Sequence, residues 1–224
     1  MKVGIIAALP REVNALVKGW DRKRLPGHVV VWSNGDAVVA CAGMGGARAA
    51  LAVRAATDAM PVAALISAGV AGGCNPALKV GDIVRAGVVI DGSTGERFED
   101  SQLRQVVVTV GAVAGVSEKA RLRAAYSADA VDMEAAAVGR LTRAHGLEFR
   151  AIKAISDAAD FEVEGLSRFA TADGYFREGA FALHAALRPA MWGKVIALGR
   201  NSGRALGSLT EALRGELDWY RKRD

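Results

Sequence analysis

Three carboxylates stand where apolar runs give out. Glu134 follows the short run Ala130-Val131-Asp132-Met133 and opens an alanine-rich stretch. Asp157 closes Ala154-Ile155-Ser156, about one helix and one strand later. Glu12 lies just past the first apolar run, Val3-Gly4-Ile5-Ile6-Ala7-Ala8. A carboxyl group can give a proton, take one, or accept hydrogen bonds from hydroxyl groups. In open α/β sheets, ligands bind at the carboxyl edge of the strands. Each acid alone has a plain structural reading. An acid at a helix start is favoured by the helix dipole by about 0.3–1 kcal/mol, and Glu12 and Asp157 would serve equally as caps. Three such acids at one edge, beside glycine-rich turns, point instead to an active site. Asp132 and Asp160 read as structural or solvated acids.

The elements that must carry these residues follow from hydropathy periodicity. Residues 2–8 form a buried strand, and 11–20 show helical spacing through Val13, Leu16, Val17 and Trp20. Residues 28–32 and 37–42 read as two strands around the turn Asn34-Gly35-Asp36. Gly43-Met44-Gly45-Gly46 opens a helix over 47–60. The strand at 63–67 is closed by the loop Gly69-Val70-Ala71-Gly72-Gly73. Strands follow at 82–90, 105–110, 130–133 and 148–155, with helices at 117–125 and 134–145. Strands alternating with helices predict an α/β fold whose sheet is covered on both faces.

The two glycine clusters each leave two readings open. Gly43-Met44-Gly45-Gly46 before a helix could cradle a phosphate, or simply make a tight turn. It does not complete a dinucleotide fingerprint, because Ala47-Arg48 stand where a further glycine is needed and no acid closes a following strand. A nicotinamide-dependent dehydrogenase would rest on this cluster alone. Gly69 to Gly73 either supply positive φ or let a ligand approach the backbone.

Composition excludes several classes. The chain has 224 residues, 51% hydrophobic and 24% charged, which suits one domain with a sizeable core. Cys41 and Cys74 are too far apart for a metal motif, so a reducing, cytoplasmic setting is expected. His28, His145 and His184 have no serine, cysteine or metal-ligand neighbours in a catalytic pattern. The first residues carry charge too soon for a signal peptide, and no apolar run reaches the roughly 20 residues of a membrane span. The net charge of +5 is concentrated from Arg188 onward, where eight basic residues face four acidic ones. A basic tail on a near-neutral body argues against a nucleic-acid groove. The expected division is an α/β domain over residues 1–187, extended over 188–224 by a basic amphipathic helix of the same domain. Val195, Leu198, Leu206, Leu209, Leu213 and Leu217 lie near one face of that helix.

Taken together, these residues resemble the superfamily of purine nucleoside phosphorylases and 5′-methylthioadenosine/S-adenosylhomocysteine nucleosidases. The resemblance runs from Met1 to about Asp160. It rests on Gly4-Ile5-Ile6-Ala7-Ala8 with Glu12, Gly43-Met44-Gly45, Ala68-Gly69-Val70-Ala71-Gly72-Gly73 and Lys79-Val80-Gly81-Asp82-Ile83-Val84. Its most specific parts are Val131-Asp132-Met133-Glu134-Ala135 and Ala154-Ile155-Ser156-Asp157. The resemblance implies a three-layer α/β/α sandwich around a mixed central sheet, assembled as a homo-oligomer. It implies cleavage of the bond between a purine and a ribose, with no metal or redox cofactor. Asp157 would then protonate or hydrogen-bond the purine at N7, oriented by Ser156. Glu134 would hold the ribose hydroxyls, Met133 would pack on the sugar, and Gly72 and Val70 would line the substrate. Glu12 would activate the attacking water. An acid at the base helps a poor leaving group depart, and it must hold or share a proton near neutral pH. A carboxylate near the sugar stabilises its oxocarbenium character.

The chain also departs from that pattern. Val70 stands where the adenine nucleosidases carry a hydroxyl residue, and Lys153 where they carry arginine. The phenylalanine that packs on adenine has no equivalent in residues 107–117, and the stretch between Val84 and Gln105 is short. The short middle and the Trp192-containing tail are closer to the hopanoid-associated branch, which is held to remove adenine from adenosylhopane. A basic tail would suit peripheral contact with a membrane. The phosphorylases carry a Gly-Asp-Pro-x-Arg loop, but here the place reads Ala8-Leu9-Pro10-Arg11-Glu12. Arg11 and Lys153 are candidate phosphate or polar contacts, with Arg48 and Arg85 nearby in pattern. Glu12 would repel an anion there, so water is the expected nucleophile. A phosphorylase and a catalytically silent nucleoside-binding protein are the alternatives.

Overall fold

The computed structural model describes residues 1–100, 102–161 and 192–223. Ten strands form one sheet: β1 (Val3–Ala7), β2 (Asp21–Leu25), β3 (Val29–Ser33), β4 (Ala37–Cys41), β5 (Ala64–Gly73), β6 (Ile83–Asp91), β7 (Arg97–Glu99), β8 (Gln105–Thr109), β9 (Ala130–Asp132) and β10 (Glu148–Asp157). Among the described residues four α-helices accompany them: α1 (Gly46–Ala59), α2 (Val116–Tyr126), α3 (Ala135–Ala144) and α4 (Trp192–Arg221). The strand order is β10-β6-β8-β9-β5-β1-β4-β3-β2, with β7 on β6. β10 also pairs with β5, so β5, β10, β6, β8 and β9 close into a ring. The sheet is mixed: β1 runs parallel to β4 and β5, whereas β9 runs antiparallel to β5.

Successive residues of a strand point to opposite faces, and the core divides accordingly. Val3, Ile5 and Ala7 of β1 pack with Leu209, Leu213 and Tyr220 of α4. Ile6, between them, packs with Ala49, Ala52, Val53 and Ala56 of α1. β4 alternates in the same way, Val39 and Cys41 toward α4, Val38 and Ala40 toward α1. Helices therefore cover both faces, α1 beside α3 on one and α4 on the other, as the α/β/α expectation requires. Alanine-rich α1 sits close to α3: a Cβ on Gly46 would lie 3.3 Å from Cβ of Ala137.

The tail helix belongs to this core. Leu209 and Leu213 are fully buried, Leu198, Leu206 and Leu217 are partly so, and Ile196 is exposed. Its basic residues bind the body: Arg214 donates to the Ala15 carbonyl at 3.1 Å, and Arg221 pairs with Asp36 at 3.2 Å. The expected break at Arg188-Pro189 and the side chain of Val195 lie outside the described residues.

Two expectations are corrected, and one strand is added that the sequence reading did not include. Residues 11–20 do not form an α-helix. A 3-10 turn over Pro10–Glu12 leads into successive turns whose bonds alternate between three- and four-residue spacing. Those turns bury Val13, Leu16 and Val17, so the apolar spacing is used without a continuous helix. Asp21–Leu25 is a strand with no apolar alternation, because it is the outer edge of the sheet and its charged side chains face solvent. Finally, Gly69 to Gly73 are not a loop after a strand. They are the second half of β5.

Candidate active site

β5 carries the site because its pairing changes along its length. Ala64 to Ser67 pair with β1 on one edge, and Gly72 and Gly73 pair with β9 on that same edge. Between these two partners the edge of β5 is left without a strand. Glu12 fills the gap. Its Oε1 accepts the Val70 N–H at 3.1 Å and its Oε2 accepts the Leu9 N–H at 2.8 Å. Glu12 is 5% exposed, and Arg11 beside it is exposed. A Cβ on Gly69, which has φ +152°, would stand 3.0 Å from Glu12 Oε1, so the glycine makes room for a carboxylate.

Glu134 occupies the residue before α3 but does not cap that helix. Asp132 does, accepting the N–H groups of Ala135 at 2.8 Å and Glu134 at 3.3 Å. Asp132 also accepts the Thr109 hydroxyl at 2.6 Å and pairs with Lys153 at 2.8 Å. Asp132 is thus a structural acid, as expected. Lys153 Nζ donates further to Ser67 Oγ at 3.0 Å, and both members of the ion pair are buried. With its cap function taken, Glu134 turns to the other helix. Its Oε1 accepts the Gly45 N–H at 2.7 Å, so the glycine cluster at the start of α1 receives a carboxylate here. Burial and the nearby Asp132 raise the Glu134 carboxyl to about 7, against the opposing pull of Lys153 and the Gly45 N–H. Burial also opposes the charge on Lys153, but Asp132, Glu134 and Glu12 outweigh it and raise the ammonium group above its ordinary value.

Asp157 ends β10 opposite Gly72 of β5. Its Oδ1 accepts the Ser156 hydroxyl at 2.6 Å, and that hydroxyl also lies 3.2 Å from the Ala71 carbonyl. Its Oδ2 is ion-paired with Lys119 of α2, a residue the sequence analysis did not single out. Lys119 Nζ also donates to the carbonyls of Ala158 at 2.9 Å and Phe161 at 3.1 Å. A Cβ on Gly72 would lie 3.0 Å from Lys119 Cε and 3.1 Å from Asp157 Oδ2. The signal for Lys119 was its place three residues before Leu122. These two are the buried positions of α2, and a buried ammonium needs a partner.

The structure therefore brings Glu12, Val70, Gly72, Glu134, Ser156 and Asp157 to the forked edge of β5. Met133 is half-buried between the two acids of its own segment, and Lys153 lies beneath them. Arg48 donates to the carbonyls of Ala42 and Gly27, and Arg85 pairs with Glu216 at 3.3 Å. Among the described residues no cluster of three metal-ligating side chains occurs, and no helix is long and apolar enough to cross a membrane. A separate concavity of about 570 Å³, lined by Arg143, Phe149, Arg150 and Trp219, lies at the opposite end of β10 and contains none of the three acids.

An α/β/α sandwich with acids gathered at the carboxyl edge of a mixed sheet defines a class of ligand-cleaving or ligand-binding folds. Comparison with known proteins narrows it. The chain belongs to the phosphorylase superfamily, whose sequence profile matches residues 2–113 and 94–188. It is 30% identical over 202 residues to a 5′-methylthioadenosine/S-adenosylhomocysteine nucleosidase of Actinobacillus succinogenes, covering 72% of this chain and 88% of that protein. Two Helicobacter pylori structures share the fold at 18% identity. The 5′-methylthioadenosine/S-adenosylhomocysteine nucleosidase superposes with a TM-score of 0.71, covering 97% of this chain and 98% of the other. Futalosine hydrolase superposes with a TM-score of 0.72, covering 97% of each.

Proposed function

We propose that this chain hydrolyses the N-glycosidic bond of an adenine nucleoside, releasing adenine and a 5′-substituted ribose. The observation that carries the proposal is the meeting of Glu12, Glu134 and Asp157 around the fork in β5. The nucleosidase of A. succinogenes supports the substrate class. In this reading Asp157 faces N7 of the purine and Ser156 fixes its orientation. Glu134 accepts the ribose hydroxyls, Met133 packs on the sugar, and the half-buried Val70 and Gly72 lie along the substrate. Glu12 takes the proton of the attacking water. Two backbone N–H groups hold its carboxylate in place, and lone pairs remain for water. A phosphate in the same space would face that carboxylate, which favours hydrolysis over phosphorolysis. Lys153 supports Glu134 from below, and Arg11 stands at the rim as a polar contact. Two buried free cysteines suit a reducing cytoplasm. Assembly as a homo-oligomer and contact of the basic tail with a membrane belong to the same proposal, tested by sedimentation and vesicle flotation.

The test is adenine release from 5′-methylthioadenosine, adenosine and adenosylhopane, with and without phosphate. Release independent of phosphate is expected. Strict dependence on phosphate would make the chain a phosphorylase, and purine binding without turnover on any of the three would make it a binding protein. Asp157→Asn should lower kcat/KM by about 10²–10⁴, the usual worth of a general acid, with its circular dichroism spectrum unchanged.

A further inference from the structure

Both oxygens of Asp157 are occupied, Oδ1 by the Ser156 hydroxyl and Oδ2 by the Lys119 ammonium group. An ionised carboxyl group accepts hydrogen bonds only and has no proton to give to a departing base. The ammonium beside it has three N–H groups, and each has an oxygen: Asp157 Oδ2, the Ala158 carbonyl and the Phe161 carbonyl. Lys119 is 1% exposed, so this proton store is shielded from solvent, while Asp157 keeps 23% of its side chain open toward the site.

This arrangement is satisfied in two protonation states. With the proton on nitrogen, three N–H groups meet three oxygens. With the proton on Asp157, two N–H groups keep the two carbonyls, and the freed lone pair accepts the carboxylic O–H. The pair is neutral overall in both states, so a proton can shift along the shared hydrogen bond without burying a new charge.

We propose that Lys119 and Asp157 together are the acid that releases the base, with Lys119 as the residue from which the proton is drawn. The proposal rests on the nucleosidase reading above. As the C1′–N9 bond breaks, its electron pair stays with the purine. Lys119 Nζ passes its proton to Asp157 and Asp157 passes one on to N7 of the purine, leaving a neutral amine beside an ionised carboxyl group. The attacking water forms its bond to C1′ and loses its proton to Glu12. Return of that proton from Glu12 through solvent to Asp157, and from Asp157 to Lys119, closes the cycle, and the net reaction is hydrolysis.

Two variants separate proton supply from charge and shape. Lys119→Arg keeps a cation beside Asp157, but a guanidinium group does not deprotonate in proteins. Lys119→Met keeps the length and removes the charge. With wild type releasing adenine, both variants should lose about 10²–10⁴-fold in kcat. Calorimetric affinity of Lys119→Arg for adenine should stay near that of wild type. A Lys119→Arg enzyme with kcat within about threefold of wild type overturns the proposal. Loss of adenine binding together with turnover in that variant also overturns it, because Lys119 would then be scaffolding. Should Lys119→Met fail to fold, the arginine variant decides alone. A wild type that turns over no adenine nucleoside refutes the nucleosidase reading and the relay with it, an outcome distinct from an active wild type beside an active Lys119→Arg.

Discussion

In the proposed reaction, the charge state of Glu134 sets the working pH. Its carboxyl, raised from an ordinary 4.5 to about 7, would accept sugar hydroxyls fully only when ionised. kcat/KM for an adenine nucleoside is therefore expected to climb with pH up to about 7, and Glu134→Gln should flatten that limb while lowering the plateau. Stability runs the other way. Between 4.5 and 7 the folded chain holds this proton and the unfolded chain has released it, so the folded state binds more protons there. The contribution of Glu134 to stability accordingly falls as pH rises through that window. Urea unfolding across it should show a decline in wild type that Glu134→Gln lacks. Lys153→Met is expected to be far more damaging, because it strands Asp132 as a buried anion at a cost of roughly 3–5 kcal/mol. Glu12, Glu134 and Asp157 were legible because each ends an apolar run. Lys119 was not, because its only local signal is its spacing from Leu122 and its partner lies 38 residues away.

Strand β5 is the element on which the site depends, and glycines are what let it serve. A strand glycine commonly marks a close approach by another group, and here the groups are the site's own carboxylates and Lys119. Gly72→Ala should displace the Lys119–Asp157 pair, since the added carbon falls 3.0 Å from one and 3.1 Å from the other. The expected result is a loss of at least about tenfold in kcat/KM with the fold retained, measured by adenine release beside a thermal melt. The glycine cluster was visible in the sequence, but its secondary structure was misread, because three glycines in five residues carry no strand propensity. Their extended form is imposed by pairing with β10 on one edge and β9 on the other. The turns over residues 13–20 were misread for the opposite reason. Apolar spacing of three and four residues fits both a helix and a chain of turns, and here the turns bury Val13, Leu16 and Val17.

At the scale of the whole molecule, α4 covers the face that β1, β4 and β5 would otherwise expose. Leu213→Ala should cost about 2–5 kcal/mol, read as a lower urea midpoint with an unchanged slope. The two-faced cover of the sheet was legible from alternating strands and helices. The ring closed by β5 and β10 was not, since it joins strands separated by about a third of the chain. The forked edge of β5 has a further consequence, for spectroscopy. In a sheet interior, backbone amides bond to carbonyls and report only on folding. The Val70 amide bonds to the carboxylate of Glu12 instead. Its chemical shift and its rate of hydrogen–deuterium exchange will thus follow what happens to that carboxylate, which makes it a single-atom probe of turnover built into the backbone.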